Sequence, residues 1–122
     1  MAIYVDKDSR GFYFDSYGLP PFIPEHINRI RKKCKQLRWN VKQLQSMSSD
    51  VCGQFCIMFL NHMCKGLSFD KFLKMFSDDL ENNDSIVRRV IKYKTLEACN
   101  FIGYGDCAVR CIQNCCSKLS LL

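Results

Sequence analysis

The sequence predicts an α+β fold in which a small mixed sheet packs against a central buried helix that has a cysteine at its N-terminus. Two observations favour this class. Residues 55–63, FCIMFLNHM, are apolar on nearly every side, as expected of a helix that other elements enclose. Residues 2–5 and 12–14 are short apolar runs separated by turn residues, which predicts a β-hairpin.

Length and composition indicate one soluble globular domain, because 48% of the 122 residues are hydrophobic and 25% are charged. No apolar run approaches the ~18 residues of a membrane span, and the N-terminus lacks the pattern of a signal peptide. The nine cysteines therefore indicate reduced thiols in an intracellular protein, either cytoplasmic or nuclear. The net charge of +6 favours anionic partners only mildly.

The segment after the hairpin predicts a helix and then a strand. Asp15 ends the second strand, and Pro24 suits the first position of a helix. From 25 to 38 apolar residues recur at spacings of three and four, which predicts an amphipathic helix; they are Ile27, Ile30, Cys34 and Leu37. Residues 39–44 alternate apolar and polar side chains, so we expect a strand that brings Gln45 to the central helix.

The central helix is predicted to begin at about Val51 and to end at Gly66. Good N-cap residues precede its start, namely Ser48, Ser49 and Asp50. Further helices are predicted at 68–76 and at about 83–94. An acidic corner between them is most simply explained as helix-capping charge; its members are Asp78, Asp79, Glu81 and Asp84.

Cys52 falls in the first turn of the central helix, where unpaired backbone N–H groups and the positive end of the helix dipole favour a thiolate. Gln45 lies seven residues earlier, so its amide and the Cys52 backbone N–H can supply the two donors of an oxyanion hole. Asp15, at a strand end, can orient an imidazole on the neighbouring strand. On composition alone the plainer interpretations are commoner: a core cysteine at 52 and a turn residue at 15.

Basic residues are concentrated between positions 29 and 42, where no acidic residue occurs. The cluster comprises Arg29, Arg31, Lys32, Lys33, Lys35, Arg38 and Lys42. Such a cluster indicates either a nucleic-acid-binding or nuclear-import patch or, more commonly, a solvated helix face. Both interpretations stay open at this point.

Residues 96–122 differ from the domain predicted at 1–95. They contain five cysteines within 18 residues and no convincing hydrophobic period. A spacing of four places Cys107, Cys111 and Cys115 on one face of a helix, which leaves zinc binding as an alternative. We favour a poorly ordered Cys-rich extension, and we predict no metal site.

The segment QLQSMSSDVCGQFCIMFL, at 43–60, resembles the nucleophile segment of the adenovirus-type cysteine proteases (adenain) and of the related ubiquitin-like-protein proteases. In these proteins a Gln lies seven residues before a Cys-Gly pair that opens the central helix, as Gln45, Cys52 and Gly53 do in this sequence. FYFDSYGLPP, at 12–21, resembles the segment with the acidic triad member, which maps onto Asp15. Residues 65–84 resemble the helical continuation of virus-like and transposon-encoded members, so the resemblance covers roughly residues 1–92.

This resemblance implies a papain-like layout and a cysteine-type endopeptidase of the virus or transposon processing kind. Cys52 would be the nucleophile, Asp15 would orient the imidazole, and Gln45 would belong to the oxyanion hole. The family's triad His, usually followed by Trp, stands at the start of the strand before the acidic residue, and the chain has no His there. We therefore expect a fragment that lacks this His and is inactive alone. The alternative is an inactive remnant that binds a peptide or nucleic acid.

The resemblance also implies the partners. A protein or peptide would be the substrate, either a viral-type structural protein or a ubiquitin-like protein. DNA is a cofactor of the adenovirus-type enzymes, which makes non-specific DNA a candidate activator of this chain. We expect no other cofactor and no membrane partner.

Overall fold

The structure is a computed structural model that describes residues 1–98 and 119–121. Strands β1 (Ala2–Val5) and β2 (Arg10–Phe14) form the predicted antiparallel hairpin, with Ala2 opposite Phe14. The Asp6 carboxylate closes the turn, because its Oδ1 accepts the backbone N–H groups of Asp8 and Arg10 at 2.9 Å.

Helix α1 (Pro24–Lys33) has Pro24 in its first turn, as predicted, but ends well before residue 38. Cys34 is already extended, and the following residues form strand β3 (Gln36–Trp39), which pairs with β2 in parallel. The predicted helix at 25–38 is therefore too long, and the strand predicted at 39–44 is placed too late in the chain. Residues 40–51, which include Gln45, form a loop.

Tertiary pairing explains this difference. The free edge of β2 offers backbone hydrogen-bonding groups that a helix cannot satisfy, and the chain after Cys34 satisfies them. The turn is packed tightly, since a Cβ on Gly11 would lie 2.5 Å from the Cys34 Sγ. The apolar spacing of Cys34 and Leu37 fits a helix on its own, but both side chains pack against the sheet after the helix has ended.

The described strands form one mixed sheet in the order β3-β2-β1-β4, where β4 (Leu119–Leu121) is antiparallel to β1. Helix α1 lies on one face, over Ile3, Val5 and Tyr13. The other face packs on the remaining helices, which are α2 (Cys52–Cys64), α3 (Phe69–Leu73) and α4 (Leu80–Ala98). The fold is therefore α+β, with α2 as the buried helix beside the sheet.

An aromatic cluster joins the sheet to these helices. The Phe14 ring lies 5.1 Å from that of Phe59 and 5.3 Å from that of Phe72, and the last two rings are 5.6 Å apart. Phe14 is the last residue of β2, so the end of that strand, next to Asp15, is held firmly against α2. The buried run at 55–63 has the enclosed position that its composition predicted.

The start of α2 is confirmed, whereas its predicted capping is wrong. Val51 is the N-cap residue, and no side chain caps the helix. Gly66 follows the helix end with φ +75°, and its N–H donates to the Met63 carbonyl at 3.0 Å. Helix α3 is shorter than the predicted 68–76, and α4 is longer than the predicted 83–94.

The Cys-rich extension predicted at 96–122 is described only in part. Helix α4 continues to Ala98, and β4 belongs to the same sheet as β1. The cysteines considered for zinc, Cys107, Cys111 and Cys115, lie outside the described residues. Among the residues that are described, no group of three or more His, Cys, Asp or Glu side chains could hold a metal ion, and no helix has the length and apolar character to cross a membrane.

Candidate active site

Cys52 is the first residue of α2 and is exposed, whereas most of the helix beyond it is buried. Its position leaves the backbone N–H groups of the first turn without intrahelical acceptors, as at every helix start. Nothing lies within 4 Å of the point where Gly53 would place a Cβ, so the surface beside the thiol is open. A substrate therefore has room to approach Cys52. The polarised N-terminus of α2 lies beneath the thiol.

Gln45 is fully buried and connects two segments of the candidate site. Its Oε1 accepts a hydrogen bond from the Ser16 hydroxyl at 2.7 Å, and its Nε2 donates to the Ser49 carbonyl at 2.9 Å. The Ser16 carbonyl in turn accepts the Gln45 backbone N–H at 3.1 Å. The side chain therefore links the residue that follows Asp15 to the loop that leads into Cys52.

Asp15 is buried at the end of β2, and it also starts a turn. Its Oδ1 accepts the Tyr17 N–H at 2.8 Å, and its carbonyl accepts the Gly18 N–H at 2.9 Å. Asp15 is therefore a turn residue, as its plainer interpretation predicted. The turn uses only Oδ1, so the second carboxylate oxygen is the one that would orient an imidazole.

Asn40 holds the Asp15 backbone, and the sequence did not single it out. The Asn40 Oδ1 accepts the Asp15 N–H at 3.0 Å, while its Nδ2 donates to the Asp15 carbonyl at 2.5 Å and to the Lys42 carbonyl at 3.2 Å. Since Tyr13 pairs with Trp39 in the parallel ladder, this side chain extends the ladder by one step. An Asn after a strand is common in turns, so no signal in the sequence marks it.

Cys56 is a buried thiol whose pKa responds to both Cys52 and Asp15. It lies four residues after Cys52 on α2 and is buried. Burial raises the pKa of the Cys56 thiol, the nearby Met1 amine lowers it, and Cys52 and Asp15 raise it. Burial, Asp15 and Cys56 likewise raise the pKa of Tyr13 to about 12.

Ala2 of β1 lies opposite Phe14, whose ring is 6.3 Å from that of Phe55 in the first turn of α2. Asp15, the start of α2 and the start of β1 therefore meet at one corner of the molecule, which we call the Cys52 site.

Neither histidine of the chain lies at the Cys52 site. The His62 Nε2 is 2.7 Å from the Ser68 carbonyl oxygen, and its ring lies against Phe72. It is ten residues beyond Cys52 on the same helix, a rise of about 15 Å. His26 belongs to α1, which packs on the opposite face of the sheet. An imidazole at the Cys52 site would have to come from elsewhere.

The basic cluster at 29–42 does not form one helix face. Arg38 is on β3 and pairs with Asp70 at 2.7 Å, and its guanidinium lies over the Phe69 ring, on the side of the sheet away from α1. Lys42 pairs with Asp78 at 2.5 Å, and Arg29 pairs with Glu25 at 2.7 Å. Arg31, Lys32 and Lys35 are exposed and have no ion-pair partner in the part of the chain that the structure describes.

The acidic corner is only partly capping charge. The Asp79 Oδ1 does accept the Asn82 N–H at 3.0 Å in the first turn of α4. Asp78 pairs with Lys42, which holds the pKa of its carboxyl below the usual value. Asp84 is buried and bonds Ser46 of the loop, so capping does not describe its role. The sequence could not show this, because an acidic run at a helix start has the same pattern whether its members cap the helix or bond a distant loop.

Comparison of the chain with known proteins adds no relative to these observations: no family model, curated protein or solved structure matches it.

Replacing Asn40 tests how the Asp15 end of the site is held. In Asn40→Ala the Asp15 N–H and carbonyl lose their partner in a buried place, so we expect the free energy of unfolding to fall by about 2–3 kcal/mol. Urea denaturation measures the loss. Asn28→Ala, an exposed change on α1, serves as the control and should stay within about 0.5 kcal/mol. Equal stabilities for the two variants would contradict the assigned contacts.

Proposed function

We propose that this chain supplies the nucleophile, the oxyanion-hole donor and the acidic member of a cysteine endopeptidase site in a papain-like layout. The imidazole of that site would come from a residue outside this 122-residue sequence. The observation that supports this most is the hydrogen-bonded path from Ser16 through Gln45 to Ser49. It joins the segments of Asp15 and Cys52, two residues that lie far apart in the sequence.

The chemistry follows from these positions. The Cys52 thiolate adds to a peptide carbonyl, and the carbonyl π electrons move to oxygen. The Cys52 N–H would stabilise that oxyanion, and the second Nε2 hydrogen of Gln45, which is fully buried in the free chain, would do so once bound substrate uncovers it. Collapse breaks the C–N bond, and an imidazolium protonates the departing amine. Water then hydrolyses the thioester, which releases the acid and regenerates the thiol. Asp15 would orient the imidazole through its second carboxylate oxygen.

The place for the imidazole is the start of β1. The Met1 amine lies near Cys56, whose pKa responds to Cys52 and Asp15 as well. A residue attached to the Met1 amine would therefore enter the space that Cys52 and Asp15 border. An assay of peptide hydrolysis tests the proposal: activity should require both Cys52 and an imidazole supplied at this point.

The second candidate function is nucleic-acid binding by a catalytically inactive remnant, with DNA as the ligand. The observation that favours it is the exposed set Arg31, Lys32 and Lys35, whose charges the described residues leave unpaired. Three cations support weak binding without sequence preference, because they contact phosphates rather than base edges.

Neutralising two different sets of three residues in the basic cluster distinguishes a binding surface from a solvated one. We expect the triple variant Arg31→Gln, Lys32→Gln, Lys35→Gln to weaken duplex DNA binding at low salt. The slope of log affinity against log salt concentration should become less negative by about 2–3. The matched control, Arg29→Gln, Arg38→Gln, Lys42→Gln, removes the same charge from residues that are already ion-paired. Equal losses in a fluorescence-anisotropy titration, or no binding by the unmodified chain, would remove this candidate.

A further inference from the structure

Two buried polar residues at the start of α4 hold the loop that contains Gln45. The Asn83 Nδ2 donates to the Leu44 carbonyl at 3.1 Å and to the Ser77 carbonyl at 2.9 Å. The Asp84 Oδ2 accepts the Ser46 hydroxyl at 2.7 Å, and its two oxygens receive the Ser46 N–H at 3.3 and 3.4 Å. Asn83 and Asp84 are 0% and 2% exposed, respectively. The residues on both sides of Gln45 are thus bonded to consecutive residues of one helix.

We infer that Asn83 and Asp84 are positioning residues for the oxyanion hole: they fix the backbone at 44–46 so that the Gln45 amide stays beside the segment that leads into Cys52. This inference rests on the proposed function, because it gives Gln45 the oxyanion role. It concerns residues that touch neither substrate nor reacting atoms and that act through Gln45.

The same helix also fixes the position of Cys52. Val87 and Ile91 of α4 belong to the core cluster that includes Phe55 and Phe59 of α2. At the surface, the Arg88 guanidinium is 3.6 Å from the carboxylate of Asp50, two residues before Cys52. Helix α4 therefore contacts both halves of the site, the loop through Asn83 and Asp84 and the nucleophile helix through its apolar face. A rigid element that holds both halves sets the separation between the amide and the thiol.

Burial of Asp84 makes its hydrogen bonds to Ser46 energetically important. A carboxylate removed from water is costly unless it is hydrogen-bonded, and Ser46 supplies such bonds to Asp84 through both its N–H and its hydroxyl. If the loop moved away, the Asp84 carboxylate would lose these bonds and the Ser46 hydroxyl would lose its acceptor. The loop conformation that holds Gln45 in place is the one that keeps both groups satisfied.

Side-chain NMR of Gln45 in the full-length chain tests the inference without requiring activity. We expect Asp84→Asn and, independently, Ser46→Ala to shift the two Gln45 Nε2 proton signals and to speed their exchange with solvent about tenfold, as loss of one buried hydrogen bond does. The matched control is Glu81→Gln, which removes the same charge from an exposed carboxylate one turn earlier on α4. It should leave both signals and their exchange unchanged.

The outcomes separate the two proposals. Gln45 signals that stay unchanged in a folded Ser46→Ala chain overturn the inference, and this milder variant decides if Asp84→Asn fails to fold. Shifts of equal size in Glu81→Gln overturn it as well. In a chain supplied with an imidazole, Asp84→Asn should lower kcat while leaving KM nearly unchanged, because an oxyanion contact acts in the transition state. Native Gln45 signals without any Cys52-dependent hydrolysis would instead count against the proposed function.

Discussion

Peptide hydrolysis is expected to appear when the chain is extended at its N-terminus by a short segment with His-Trp next to Met1. The unextended chain should work at or near background, because a thiolate without a neighbouring acid cannot protonate the leaving amine. Loss of the base from such a triad typically costs about 10⁶-fold in turnover, so even an imperfectly placed imidazole should raise the rate by about 10³-fold or more. Fluorogenic peptides that contain glycine next to the cleaved bond provide the measurement.

Two controls make this result specific. Cys52→Ala in the extended chain should return the rate to background, and so should the same extension with alanine in the histidine position. Hydrolysis that survives either change would come from other groups. A folded extended chain that cleaves none of a broad set of such peptides would favour the inactive remnant over the peptidase.

Truncation of the central aromatic ring should give the largest loss of stability. Phe59 is fully buried, with ring centroids 5.1 Å from Phe14 and 5.6 Å from both Phe69 and Phe72. We expect Phe59→Ala to lower the free energy of unfolding by about 3–5 kcal/mol, because it removes apolar burial and leaves a cavity. That is a large part of the roughly 5–15 kcal/mol typical of a domain, so the transition should move far toward low urea.

Phe22→Ala is the matched control, because it makes the same truncation at a ring that is 61% exposed. Its effect should stay within about 0.5 kcal/mol. Phe59→Leu, which keeps most of the volume, should fall between the two and provides a value if the alanine variant does not fold. Similar losses for Phe59→Ala and Phe22→Ala would contradict the location of the core.

Local patterns in the sequence predicted the parts of the fold that local forces determine. The hairpin, the buried helix that starts at Cys52 and the stop at Gly66 follow from apolar runs and turn residues in the sequence. The end of α1 could not be predicted in this way, because the apolar spacing of Cys34 and Leu37 fits a helix as well as it fits the sheet. Pairing with β2 determines that the chain becomes a strand there, and this pairing is a tertiary contact that local sequence patterns do not show.

For the candidate site, too, local patterns predicted some features, whereas long-range contacts determine the others. The place of Cys52 in the first turn of α2 was predictable from its position between a polar loop and an apolar run. The groups that hold the site were not, since Asn40, Ser16 and Asp84 each bond a residue at least 25 positions away. Such long-range partners leave no spacing in the sequence. Polar residues that are common in turns and helix starts gave no sign of burial.

Acylation by an activated ester tests the central claim, that Cys52 is a nucleophile next to an oxyanion hole, in the chain as it is. The p-nitrophenyl ester of an N-blocked glycine releases an anion that needs no proton, so no imidazole is required for the thiolate to displace it. We predict a burst of p-nitrophenolate with the acyl group on Cys52, located by peptide mapping, and about 10²-fold slower acylation in Gln45→Ala. Acylation of Cys52 no faster than that of Cys34, whose pKa is raised by burial, or an unchanged rate in Gln45→Ala, would contradict the account.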